Sequence, residues 1–175
     1  MSELKFIITG TAGVGKTTAI AALSDIPPVV TDAVTTDELA AVKDTTTVAF
    51  DFGEIILDED TRVRIYGTPG QERFKFMWEI LAEGALGLVI LVDATRPDPL
   101  ADLGMYVDNF IGLIEETGVA VGITRSDPSN GAELEQYYTY LQGRDIFCPV
   151  MAVDPRDQKD MMEIMDCLMS LLECS

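Results

Sequence analysis

The residues best suited to chemistry form the stretch from Gly10 to Thr17, which reads Gly-Thr-Ala-Gly-Val-Gly-Lys-Thr. It has the spacing G-x-x-x-x-G-K-[ST], follows an apolar run at 4–9 and leads into a helical pattern at 18–23. Glycines let the backbone curl so that successive N–H groups face one anion, and the helix adds the positive end of its dipole. In such a loop Lys16 contacts the β- and γ-phosphates, and the Thr17 hydroxyl ligates Mg²⁺. The strand-turn-helix context therefore predicts a nucleoside phosphate site rather than an ordinary glycine-rich turn.

The overall charge limits the macromolecules that this chain can bind. The formal net charge is −18 over 175 residues, while 47% of the residues are apolar. Such a surface repels nucleic acid and anionic membranes, so we expect neither as a partner. The length and the apolar content predict one compact domain spanning 1–175.

The cysteines indicate a reducing compartment, and the apolar runs and chain ends predict no membrane insertion. There are three cysteines, at unclustered positions, and no histidine, which excludes zinc sites and Cys-His nucleophiles of the usual spacing. The longest apolar run, 85–92, is too short to cross a bilayer, and the first strand begins too early for a signal peptide. The last residues do not form a prenylation motif. We expect a cytoplasmic protein without direct membrane insertion.

Hydrophobic patterning indicates which elements position the glycine-rich loop. The predicted strands lie at 4–9, 47–57, 61–66, 86–92, 119–123 and 148–151, and the predicted helices at 18–23, 74–79, 100–116, 131–141 and 157–172. The second and third strands flank a short acidic turn and predict an antiparallel hairpin, whereas residues 27–46 read as a polar loop. The later alternation of strands and helices predicts an α/β fold, and the glycine-rich loop after the first strand is typical of the P-loop NTPase type. We expect a mostly parallel six-stranded sheet with one antiparallel edge hairpin and helices on both faces.

Four further motifs, taken in order, resemble those of Ras-like small GTPases. They are Thr47 before Val-Ala-Phe-Asp-Phe-Gly, Thr68-Pro69-Gly70-Gln71-Glu72, Arg125-Ser126-Asp127 and Met151-Ala152-Val153. The stretch 47–53 is similar to Rab and Arf proteins. The variant at 66–71 resembles prokaryotic relatives that are described as like the β subunit of the signal-recognition-particle receptor. The resemblance covers the whole chain and implies a GTP-hydrolysing switch that controls a partner protein through loops 27–47 and 68–80.

The resemblance also implies a role for each motif residue. The Gly70 amide contacts the γ-phosphate and Gln71 orients the attacking water, so Gln71, Lys16 and Gly70 are the predicted catalytic residues. Thr17 and Thr47 are the predicted Mg²⁺ ligands, although Thr45 or Thr46 would also serve. The predicted residues around GTP or GDP are Gly10, Thr11, Ala12, Gly13, Val14, Gly15, Lys16, Thr17, Thr18, Thr47, Gly70, Thr124, Arg125, Asp127, Ala152 and Val153.

Two departures from the family pattern affect the metal and the base. Gly67 stands where such families have an aspartate that holds Mg²⁺ through water, and Asp51 or Asp93 are the nearby carboxylates that would substitute. Thr124-Arg125-Ser126-Asp127 replaces Asn-Lys-x-Asp. Asp127 can still accept hydrogen bonds from guanine N1 and N2, and Arg125 can stack on the base. An amide from Ala152 would reach guanine O6, so guanine is the expected base.

Other functions remain open at this point. Gly67 and the altered base motif favour a nucleotide-binding scaffold that does not cycle, and a P-loop kinase or ATPase is a further alternative. Ala12 lies where an activating arginine would enter, which predicts slow intrinsic turnover and a GTPase-activating partner. The resemblance implies effector proteins as well, among them roadblock-type dimers. We expect Phe74, Phe76 and Trp78 to be core or partner-facing surface, and the Met-rich last helix to pack on the sheet.

Overall fold

The computed structural model describes residues 2–27, 29–33, 48–127 and 129–174. The strands are β1 (Ser2–Gly10), β2 (Val29–Ala33), β3 (Val48–Ile56), β4 (Thr61–Gly67), β5 (Gly87–Asp93), β6 (Val119–Thr124) and β7 (Val150–Ala152). The α-helices are α1 (Lys16–Leu23), α2 (Lys75–Ala82), α3 (Pro99–Asn109), α4 (Ile111–Glu116), α5 (Gly131–Gln142) and α6 (Gln158–Glu173). One 3₁₀ turn, Glu72–Phe74, precedes α2.

The strands in the described ranges form one sheet of order β2-β3-β4-β1-β5-β6-β7. β4, β1, β5, β6 and β7 run parallel to one another, whereas β3 pairs antiparallel with both β2 and β4. The predicted α/β class, the mostly parallel sheet, its antiparallel edge and the helices on both faces are therefore confirmed. The predicted number of six strands is corrected to seven, because β2 lies within the stretch 27–46 that we expected to be a loop.

Helices cover the sheet on both faces because its central strands are apolar throughout. Every residue of β5 and β6 is buried. One core lies under α2, α3, α4 and α5 and contains Trp78, Tyr106 and Leu141. The other core lies under α1 and α6 and contains Ile20 and Met165. The methionine-rich helix thus packs its apolar face on the sheet, as predicted.

The helix predicted over 100–116 is interrupted at Phe110. The Phe110 backbone (φ −112°, ψ 15°) separates α3 from α4. Its ring is buried and stacks on Trp78 with 5.7 Å between ring centroids. Just before it, the Asn109 side chain donates a 2.7 Å hydrogen bond to the Met105 carbonyl. Burial of the ring and this side-chain bond compete with a regular helix, and periodicity alone does not report either.

The carboxyl ends of the parallel strands gather the predicted motifs at one edge of the sheet. β1 ends at Gly10, β6 at Thr124 and β7 at Ala152. Open α/β sheets bind ligands outside these strand ends. The described helices include none that is long and apolar enough to cross a membrane.

Candidate nucleotide site

The loop between β1 and α1 adopts a conformation that depends on glycine. Gly13 and Gly15 have φ values of 80° and 115°, in the left-handed region. At Gly10, a Cβ atom would lie 2.5 Å from the backbone oxygen of Leu91. The Val14 N–H donates to the Thr11 carbonyl at 3.1 Å. The loop is therefore folded tightly against the end of β5, with its curl fixed before any ligand is considered.

Lys16 is a buried cation whose direct partners are neutral. Its side chain is only 7% exposed, and Nζ donates to the carbonyls of Gly10 (2.6 Å) and Thr11 (2.9 Å). Burial lowers the pKa of Lys16 to about 8, while the negative charge of Asp51 acts in the opposite direction. The Thr11 hydroxyl is also buried and has no hydrogen-bond partner. A desolvated ammonium beside an unsatisfied hydroxyl favours an anion in this loop.

The segment 68–71 contacts the glycine-rich loop directly. A Cβ atom at Gly70 would lie 2.7 Å from the backbone nitrogen of Ala12 and 2.8 Å from Lys16 Nζ. Trp78 Nε1 donates a 2.9 Å hydrogen bond to the Pro69 carbonyl, which ties the segment to the aromatic core. Gln71 follows Gly70 and is exposed. Two motifs that are more than fifty residues apart in sequence thus meet at one point.

Thr17 and Asp51 form a further contact at the start of α1. The Thr17 hydroxyl donates a 2.6 Å hydrogen bond to Asp51 Oδ2. Asp51 lies on β3 directly opposite Gly67 of β4. Asp93, the other carboxylate that could substitute for an aspartate at position 67, instead accepts a hydrogen bond from Arg125. Thr47 lies outside the described residues.

A cavity of about 540 Å³ adjoins the loop on the side where a base would lie. It is lined by Val14, Gly15, Thr18, Thr124, Arg125, Ser126, Ala152, Val153, Asp154, Pro155, Arg156 and Asp160. Asp127 is not among the lining residues. Its Oδ1 accepts hydrogen bonds from the Ser129 backbone N–H (2.9 Å) and hydroxyl (2.7 Å), and these bonds lower its pKa. The cavity therefore brings together four of the residues predicted around the base, whereas the Asp127 carboxylate lies outside its lining; the four are Thr124, Arg125, Ala152 and Val153.

Arg125 links the base side of the cavity to the phosphate side. Its backbone has φ of 56°, and its guanidinium donates to Asp93 and, at 3.1 Å, to the Gly13 carbonyl. Burial alone raises the pKa of Asp93, but hydrogen bonds from Thr95 and the charge and hydrogen bond of Arg125 together lower it. The planar guanidinium is thus fixed at the cavity wall by an ion pair.

Sequence reasoning missed four lining residues that follow Val153. Pro155 packs on the loop, because a Cβ atom at Gly15 would lie 2.8 Å from its Cγ. Asp154 accepts hydrogen bonds from the Arg156 side chain at 3.0 and 2.9 Å, and these lower its pKa to about 2. Asp160 accepts from the Asp154 N–H at 2.9 Å. Their position directly after the Met-Ala-Val motif was the available signal.

The fold and the site together define a P-loop nucleotide-binding protein. The model of a family described as "conserved hypothetical ATP binding protein" matches residues 8–173. The chain belongs to this family.

The chain is similar to three curated proteins, two of which are Ras-related. An uncharacterized protein of Methanocaldococcus jannaschii is 30% identical over 122 residues, which cover 69% of this chain and 68% of that protein. The Ras-related protein Rab-7b of Mus musculus is 29% identical over 64% of this chain and 52% of its own length. The Ras-related protein Rab-18-B of Danio rerio is 32% identical over 62% of this chain and 48% of its own length. The chain thus spans about half the length of the two Rab proteins.

Proposed function

We propose that the protein binds and hydrolyses GTP and acts as a nucleotide-controlled switch. The contact of Gly70 with Ala12 and Lys16 carries this proposal. An amide at Gly70 would meet the γ-phosphate of a nucleotide held in the loop, with Gln71 next to it to orient water. A kinase or an ATPase of another type gives no reason for a glutamine at this position. The similarity to two Rab proteins supports the same reaction.

Guanine is the base that we propose, and adenine is the specific alternative. Ala152 and Arg125 line the cavity, where an amide and a stacking plane would meet a purine. One oxygen of Asp127 is occupied by Ser129, so reading of guanine N1 and N2 would rely on Oδ2 or on a side-chain rotation. The description of the family as ATP binding favours adenine. Direct competition between the two nucleotides decides between these bases.

We propose Mg²⁺ as the cofactor, held by Thr17 and Thr47 together with the phosphates. Hydroxyl oxygens, phosphate oxygens and water are ligands that Mg²⁺ accepts. When bound, the ion neutralises charge that develops on the phosphates during transfer. On the protein side, Lys16 supplies a fixed positive charge at the β- and γ-phosphates, and Gly70 supplies an N–H donor.

Loop 68–80 is the surface through which we propose that the nucleotide state is read. Phe76 and Ile80 are 40% and 44% exposed on α2, while Trp78 of the same helix is buried and bonded to Pro69. A shift at Gly70 would therefore be transmitted to an exposed apolar face. The resemblance to switch GTPases of prokaryotic type suggests an effector, an activating partner and roadblock-type dimers as candidates.

We also propose that the protein acts in the cytoplasm. Its three cysteines are free, which is typical of that reducing compartment.

Phosphate release from GTP and from ATP tests the proposal. We expect slow release from GTP at a rate well above that from ATP. Replacing Gln71 by Leu should leave GDP binding unchanged and slow hydrolysis about 100-fold, because the attacking water loses its orientation. Replacing the exposed Gln136 by Leu is the matched control and should change neither. Retention of GTP without turnover would instead support the non-cycling scaffold, and preference for ATP would support the family description.

A further inference from the structure

Position 67 lacks the carboxylate that would support a metal ion, and a carboxylate from the neighbouring strand lies beside it. Asp51 and Gly67 are register partners on β3 and β4. Side chains of directly opposed residues project to the same face of a sheet. A Cβ atom at Gly67 would lie 3.3 Å from Asp51 Cβ and 3.6 Å from Asp51 Oδ2. Asp51 therefore borders the space in which a side chain at 67 would stand.

The second observation is the hydrogen bond from Thr17 to Asp51. A hydroxyl has one hydrogen and two lone pairs. Because Thr17 donates its hydrogen to Asp51 Oδ2 at 2.6 Å, both lone pairs of its oxygen stay available to a cation. A carboxylate acceptor also makes the ligating oxygen more basic and fixes its orientation. Asp51 thus orients the Thr17 hydroxyl so that its oxygen lone pairs, and not its hydrogen, are available to a metal ion.

The carboxylate of Asp51 also places negative charge beside the glycine-rich loop, because its Oδ2 lies 2.6 Å from the hydroxyl of Thr17, the residue directly after Lys16. Hydroxyl and carboxylate oxygens together match the preference of Mg²⁺ for hard oxygen ligands. The residues present therefore fit a divalent cation next to the phosphates, with Asp51 on the protein side of Thr17.

We infer that Asp51 is the carboxylate that supports Mg²⁺ in this protein, and that it replaces an aspartate at position 67 from across the strand pair. It acts as a positioning residue through the hydroxyl of Thr17, which would hold the ion. The inference rests on the proposed nucleotide site. It is also consistent with the absence of a side chain at Gly67, because a Cβ atom there would lie only 3.3 Å from Asp51 Cβ.

Dissociation of a fluorescent GDP analogue, measured against free Mg²⁺ concentration, tests the inference without relying on hydrolysis. For wild type we expect Mg²⁺ to slow dissociation. The isosteric variant Asp51→Asn should need about 10–100-fold more Mg²⁺ for half of this effect. Its dissociation rate in excess chelator should equal that of wild type. Asp58→Asn removes one acidic charge from the exposed β3–β4 turn and should leave the Mg²⁺ dependence unchanged.

A transposed variant gives an independent check. In Asp51→Ala combined with Gly67→Asp, the carboxylate moves to the neighbouring strand. The flexible end of Ile20 then has to shift, and the Cβ atom at position 51, which would lie 3.3 Å from the new Cβ, has to give slightly. We expect it to recover part of the Mg²⁺ dependence that Asp51→Ala alone loses. An unchanged Mg²⁺ midpoint in Asp51→Asn would overturn the role of Asp51 while leaving the nucleotide site standing. Failure of wild type to hold any nucleotide, with or without Mg²⁺, would instead overturn the proposed function itself.

Discussion

The buried charge of Lys16 should destabilise the nucleotide-free protein and stabilise the complex with GDP. The pH dependence of unfolding and of GDP affinity measures these two effects separately. Burial lowers its pKa in the folded protein from 10.5 to about 8. Between these values the unfolded chain binds a proton that the folded chain lacks, so the free energy of unfolding must rise with pH. The two values give an increase of about 2–3 kcal/mol between pH 7 and pH 10.

Chemical denaturation of wild type and of Lys16→Met over this pH range isolates the effect. All other titrating groups contribute equally to both proteins, so the difference between the two unfolding free energies should change by about 2–3 kcal/mol. A phosphate near Lys16 favours its charged form. The GDP affinity of wild type should therefore fall up to about tenfold per pH unit above pH 8. If the unfolding free energies of wild type and Lys16→Met changed with pH by the same amount, the burial of this charge would be refuted.

Three further substitutions test the loop, its aromatic support and the base side. Gly10→Ala should lower the free energy of unfolding by about 2–4 kcal/mol, because its Cβ would lie 2.5 Å from the Leu91 carbonyl oxygen. Trp78→Phe should cost about 1–2 kcal/mol of unfolding free energy, since the Pro69 carbonyl loses its buried donor. Arg125→Ala should weaken GDP binding about tenfold in a calorimetric titration, because the base loses its stacking plane.

Matched controls make these three outcomes decisive. Gly112→Ala adds a methyl group in α4 where nothing lies within 4 Å, so it should be neutral or slightly stabilising. Phe76→Leu changes an exposed aromatic residue on the same helix as Trp78 and should have little effect on stability. Arg96→Ala breaks an exposed ion pair with Asp102 and should leave GDP affinity unchanged. Equal effects in a variant and its control would contradict the corresponding assignment.

The parts of the fold that local pattern determines were predictable. The apolar runs that became β5 and β6 are buried on both faces, and continuous apolar sequence is the expected signal for such strands. β2 was missed because it is short, lies within the largely polar stretch 27–46 and is paired, among the described strands, only with β3. An edge strand of this kind depends on its partner more than on its own sequence.

The candidate site was predictable as a set of motifs but not as a geometry. Motif spacing identified the loop around Lys16, and the resemblance to small GTPases identified the segment around Gly70. The structure adds that the two segments approach each other closely. The choice between Asp51 and Asp93 could not be made from sequence, because it depends on strand register and on the ion pair of Arg125. The engagement of Asp127 by Ser129 is likewise a local hydrogen-bonding outcome that spacing does not encode.

Equilibrium titration of the purified, nucleotide-stripped protein with GDP and with ADP, in the presence of Mg²⁺, tests the central claim most directly. Saturation at one GDP per chain, with much weaker binding of ADP and loss of binding in Lys16→Met, is the expected result. Absence of saturable binding by the folded protein, or equal binding by Lys16→Met, would contradict the account.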